Sequence, residues 1–195
     1  MVSSDDMEPR RKPFLTPEEY LVLERQADTK SEYLKGETFA MSGGSFPHNL
    51  ISGNLVGELR QALKRSPCRV CPGDQRIHIP ATGLYTYPDA VVICGEPRFE
   101  DEELDTLLNP TLIVEVLSPS TEAYDRGKKF EHYRSIESLA EYLLVSQTEP
   151  RVEHFLRQED GIWLFKAFAG RDATMPLPSL GCEVALVEIY DKVEL

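Results

Sequence analysis

Residues Thr111–Thr121 read TLIVEVLSPST. Ile113, Val114, Val116 and Leu117 have the character of a buried strand, and SPST closes it with turn-forming residues. Glu115 stands in the middle of them. A carboxylate in so apolar a strand is costly to bury unless a cation or hydrogen bonds compensate. The stretch predicts a covered central strand that carries an acid with a task.

Working outward, YPDAVVIC (87–94) reads as a second apolar strand entered at Pro88, where a missing N–H is tolerated. CRV (68–70) and RIHI (76–79) are further strand candidates around CPGD. The acidic run FEDEELDTLLN (99–109) reads as a solvated loop or short helix away from any site. Downstream, SPSTEAYD is a turn, a helix is expected from about Arg126 to Leu139, and EYLLVS (141–146) is another strand. Further out, TPEEYLVLERQ begins a short helix with Thr16 as N-cap, Pro17 at the first position and Glu19 completing a capping box. SEYLKGETFAM (31–41) reads as a hairpin about Gly36, and SGGSFP as a loop. A helix from about Pro47 to Lys64 places His48, Ile51, Leu55, Leu59 and Ala62 along one side. RVEHFLRQEDGIWLFKAF (151–168) is a hairpin around Asp160 and Gly161. The C-terminal stretch holds a loop, a strand and a short closing helix. The core order is α-β-β-β-α-β. Meandering strands followed by a helical crossover imply an α/β domain, a mixed central β-sheet flanked by helices on both faces.

A chain of 195 residues suits one domain. That domain is expected over 14–195, with MVSSDDMEPRRKP (1–13) a mobile polar tail. No apolar stretch approaches the roughly 20 residues of a spanning helix, and the N-terminus lacks the apolar segment of a secretory signal. Both point to a cytoplasmic protein without membrane association. Cys68, Cys71, Cys94 and Cys182 are accordingly expected as reduced thiols. Cys68 and Cys71 match C-x-x-C, but strand alternation sends them to opposite faces, so they read as small buried hydrophobes. The net charge of −12 offers none of the basic surface typical of nucleic-acid binders.

Asp89 and Glu115 fall on strands expected to be neighbours, so their carboxylates can approach each other. Two close carboxylates raise each other's pKa. A hard divalent cation relieves this, and Mg²⁺ takes one or two carboxylates while keeping waters for reaction. On the following helix Lys129 projects with Tyr133, Ile136 and Ala140 toward the sheet, while Lys128 lies at the edge of that face with His132 and Ser135. Singly, each residue has a structural explanation: a snorkelling lysine, a Glu115–Lys129 salt bridge, an aspartate capping a turn. Together they form a compact metal-hydrolase arrangement.

Pro88-Asp89 and Glu115-Val116-Leu117 resemble the signature of the PD-(D/E)XK nuclease superfamily, with Leu117 where the lysine belongs and Lys129 in its stead. A closer resemblance is to the Uma-two family of restriction-endonuclease-like proteins. YTYPDAVVICGEP, PTLIVEVLSPSTEAYDRGKKFEHYRSI, EYLLVSQ, SGGSFPHNLI and GDQRIHI carry it, and it extends from about Phe14 to Leu195. The resemblance implies a restriction endonuclease-like fold, a Mg²⁺ (or Mn²⁺) site, DNA as substrate and a homodimer. On that basis Asp89 and Glu115 bind the metal, aided by the Val116 carbonyl. Lys129 orients or deprotonates the attacking water, or steadies charge on the phosphate. His48, at the family's histidine position, either contacts the phosphate or merely begins its helix. Gln75 is an accessory candidate, with Glu32, Asp74 and Asp125. Asp125 is expected to cap the Lys129 helix, and Tyr133 to serve packing. The competing expectations are a catalytically silent nuclease-fold module that binds nucleic acid or protein, and a structural dimer whose buried pair is only a salt bridge.

Overall fold

The computed structural model describes residues 14–195; the polar tail expected at 1–13 lies outside them. The quoted stretch forms β8 (Leu112–Val116), and all five of its residues are buried. It pairs in parallel with β9 (Glu141–Val145) and antiparallel with β6 (Ala90–Ile93). These are three of the four inner strands of a six-stranded mixed sheet ordered β11-β10-β9-β8-β6-β3. Its margins are β3 (Arg69–Pro72) on one side and the hairpin of β10 (Arg151–Arg157) and β11 (Trp163–Ala169) on the other.

Alternation along the inner strands divides the core in two. Ala90, Val92, Val114, Val116, Leu143 and Val145 face α2 (Phe46–Ala62), which presents Ile51, Leu55 and Leu59. Val91, Ile113, Leu117, Tyr142 and Leu144 face the opposite way, against Tyr133, Ile136 and Leu139. Glu115 lies between Val114 and Val116, so the same period turns it toward the Tyr133 side. The expected α-β-β-β-α-β order holds, with helices on both faces.

The second face is shared with a smaller sheet ordered β2-β1-β5-β4-β7, which delivers Ile77, Ile79, Leu84 and Leu107 to that core. RIHI belongs here, as β4 (Arg76–Ile79), and not to the central sheet. The expected hairpin supplies β1 (Ser31–Leu34) and β2 (Glu37–Ala40). Lys35 and Gly36 both have positive φ, the backbone of a two-residue hairpin turn, which fixes Glu32 opposite Phe39. The remaining strands are β5 (Leu84–Thr86) and β7 (Thr106–Leu107). The latter lies inside the acidic run, so that run is not simply a loop. Its Asp105 joins Arg25 and the buried Arg76 in ion pairs of 2.8 and 2.7 Å.

α1 (Pro17–Glu24) carries the expected capping box. The helix expected over about 126–139 is instead composite: α3 (Glu122–Tyr124), a π turn over Asp125–Lys129 and α4 (Phe130–Tyr133). Past its end, Arg157 of β10 donates to the carbonyls of Arg134, Ile136 and Glu137. The C-terminal stretch adds β12 (Thr174–Leu177), β13 (Cys182–Ala185) and the closing α5 (Leu186–Ile189).

The thiol expectation is corrected. Cys68 and Cys94 form a disulfide across the β3–β6 margin, with Cα atoms 4.1 Å apart, while Cys71 and Cys182 are free. The register Arg69↔Ile93, continued one step, sets Cys68 opposite Cys94. The two-faced reading of C-x-x-C holds: Cys68 packs on the α2 side and Cys71 on the other.

Candidate active site

The β6–β8 register pairs Ala90 with Val114, and one further step sets Asp89 opposite Glu115. Both side chains then stand on the same face as Val91 and Ile113. The Val116 N–H donates to Asp89 Oδ2 at 2.7 Å, which ties the aspartate to the neighbouring strand. His48, near the start of α2, brings Nε2 to 3.3 Å from the same oxygen. That contact and its charge raise the His48 pKa against the opposing effect of burial. His48 does begin its helix, as one reading expected, and it also contacts Asp89.

Lys129 points inward from the π turn, as its projection predicts, and is 5% exposed. Its Nζ lies 2.9 Å from Glu115 Oε1, 3.2 Å from Glu32 Oε1 and 3.5 Å from Asp125 Oδ1. These acids come from the central sheet, the smaller sheet and the π turn. Burial works to discharge the lysine, but the three carboxylates outweigh it and hold the ammonium protonated. Burial raises Glu115 to about 8, opposed by Lys129 and assisted by the charges of Asp125 and Asp89. Burial likewise raises Asp125.

Three expectations change here. Asp125 does not cap a helix: it is buried within the lysine's cage. Tyr133 does more than pack, since its hydroxyl donates to Glu115 Oε1 at 2.6 Å. Gln75 is not part of the site; its amide donates to the carbonyls of Arg76 and Asp105, both at 3.0 Å, and it does not line the cleft. Asp74 does line the cleft, at the exposed rim, paired with Lys30 at 2.9 Å. Glu32, a secondary candidate, reaches the centre and also accepts from Thr86. Its signal resembled that of Glu115, a carboxylate within a strand. Lys128 is exposed. Leu117 is buried in apolar contacts on the same face as Glu115.

Asp89, Glu115, Val116, Glu32, Asp125, Lys129 and His48 all border one cleft of about 990 Å³. Four carboxylates against one ammonium leave an excess of negative charge that calls for a cation or protons. Among the described residues, Asp89 Oδ1 and Glu115 Oε2 accept no hydrogen bond. Also among these residues, no group of three or more His, Cys, Asp and Glu side chains is set to enclose a metal. Two carboxylates with open coordination suit an ion that keeps its waters, such as Mg²⁺, rather than an enclosed zinc.

Comparison with known proteins agrees with this architecture. Residues 17–187 match the model of the Uma2 family, described as "Putative restriction endonuclease". Two proteins of Synechocystis sp. (strain ATCC 27184 / PCC 6803 / Kazusa) are each 40% identical to the chain. Uncharacterized protein slr1290 aligns over 91% of this chain and 92% of its own length, and uncharacterized protein sll1609 over 82% and 90%. A crystal structure described as "a putative nuclease belonging to DUF820", from Anabaena variabilis ATCC 29413, superposes with a TM-score of 0.71. It covers 90% of this chain and 97% of the other at 21% identity, which establishes the shared nuclease-like fold. No helix among the described residues is long and apolar enough to cross a membrane. With a family match over nearly all of its described length, the chain belongs to the Uma2 family of restriction endonuclease-like proteins.

Proposed function

We propose that the chain is a metal-dependent endonuclease that hydrolyses phosphodiester bonds in DNA. The observation that carries this reading is the meeting of Asp89, Glu115 and Lys129, from two adjacent strands and the facing turn, in one cleft. Asp89 and Glu115 would hold Mg²⁺ or Mn²⁺, with the Val116 carbonyl as a further oxygen. When bound, such an ion polarises the phosphate and lowers the pKa of a water. His48 and the Val116 N–H fix the Asp89 carboxylate, and Tyr133 fixes that of Glu115. Lys129, held as an ammonium by its cage, is suited to steadying charge on the phosphate and not to taking a proton from water. Water attacks phosphorus in line, the bond to the 3′ oxygen breaks, and that oxygen receives a proton.

The test pairs metal binding with cleavage. Mn²⁺ should raise the melting temperature of the wild-type chain and leave that of Asp89→Ala and Glu115→Gln unchanged. Supercoiled plasmid should be nicked by the wild type alone. Lys129 and Tyr133 already occupy Glu115 Oε1, and this favours a second reading, the catalytically silent module. Metal-induced stabilisation without cleavage of any DNA or RNA would establish it.

A further inference from the structure

Phe39 has no packing reason for its place. It is 49% exposed, and all four residues of β2 are exposed. Its position is nevertheless well defined. The β1–β2 register sets Phe39 directly opposite Glu32, so the two side chains are neighbours on one face of the sheet. Glu32 is the residue whose carboxylate lies 3.2 Å from Lys129 Nζ. Phe39 therefore stands beside the buried cluster, and it lines the same cleft. Met41–Ser45 continues that wall. Phe39 is thus an exposed phenyl ring on one side of the cleft.

Charge narrows what such a wall can receive. The chain carries a net charge of −12, and carboxylates outnumber ammonium groups along the cleft. A duplex presents one negative charge per about 1.7 Å of axis, and a single strand half that density. A duplex also keeps its base faces stacked on one another, whereas an unpaired strand offers them to aromatic side chains. An apolar ring on an acidic protein favours the ligand with fewer charges and free base faces.

We propose that the cleft takes an unpaired nucleic-acid strand, with the base next to the reacting phosphate stacked on Phe39. This rests on the nucleic-acid reading above and gives it a substrate class. The test is fluorescence anisotropy of the full chain in Ca²⁺ at low salt. The probes are a fluorescein-labelled short single strand, its blunt duplex, and a strand of equal length bearing abasic sites. The single strand should bind at least about tenfold more tightly than the duplex. Phe39→Ala should weaken single-strand binding by on the order of tenfold, leave the abasic strand unaffected, and be rescued by Phe39→Trp. Circular dichroism checks that the variant, altered only at an exposed site, keeps its fold. Equal or tighter duplex binding, an unchanged Phe39→Ala, or no binding of any probe overturns the proposal. Binding through Phe39 without hydrolysis in Mg²⁺ or Mn²⁺ would overturn the hydrolase alone, and equal cleavage of paired and unpaired DNA would overturn the strand preference alone.

Discussion

Without the Lys129 ammonium, Glu32, Glu115 and Asp125 would face one another with no cation within the distances that now join them to it. Lys129→Met should therefore lower the unfolding free energy by about 3–5 kcal/mol at neutral pH, the usual cost of leaving a buried charge without its partner. Urea unfolding measures it, and pH gives the deficit a signature. The Glu115 carboxyl, raised from 4.5 to about 8, binds more protons folded than unfolded. Its contribution is complete below about 4.5 and is lost as pH rises through about 8. Removing the ammonium steepens that fall. The deficit of Lys129→Met should thus narrow between pH 8 and pH 5, and a deficit indifferent to pH would mean that its cause is lost packing.

The disulfide between Cys68 and Cys94 joins a marginal strand to an inner one. Closing a loop over a sequence separation of 26 is worth about 3.5 kcal/mol by chain entropy. Dithiothreitol should lower the urea midpoint of the wild type accordingly, and leave that of Cys68→Ser, already lowered, where it stands. This pairing was hidden in the sequence because it depends on the β3–β6 register, which no local pattern fixes. The long apolar strands β6, β8 and β9 were legible, as were the capping box of α1 and the hairpin turn, because period and turn chemistry are local. β5 and β7, at three and two residues, are too short to show a period. The carbonyls beyond α4 are taken up by Arg157, which arrives from another strand, so no local pattern announces this end. At the site, Asp89, Glu115 and Lys129 were readable from neighbouring strands and one helical face. Gln75 was misplaced because its direction follows from a turn whose bonds to Arg76 and Asp105 are tertiary. Asp125 was misread because a π turn looks like an ordinary helix start.

At the scale of the whole molecule, the central sheet ends, among the described residues, at β11 with an open edge. Leu164 and Phe165 on that strand are 54% and 51% exposed. An open apolar edge pairs readily with another chain. The expected homodimer would cover it, so sedimentation velocity should give a two-chain species for the wild type and a monomer for Phe165→Glu. A dimer untouched by that substitution would place the contact elsewhere. The lysine cage has a further consequence. Glu32 belongs to an early hairpin, Glu115 to a strand whose parallel partner ends at Val145, and Lys129 to the turn between them. During synthesis from the N-terminus, the acid at 32 leaves the ribosome long before the amine that will hold it. The nascent chain can complete the cage only after most of its length has been made, so its early carboxylates stay solvated until the turn that carries their ammonium has emerged.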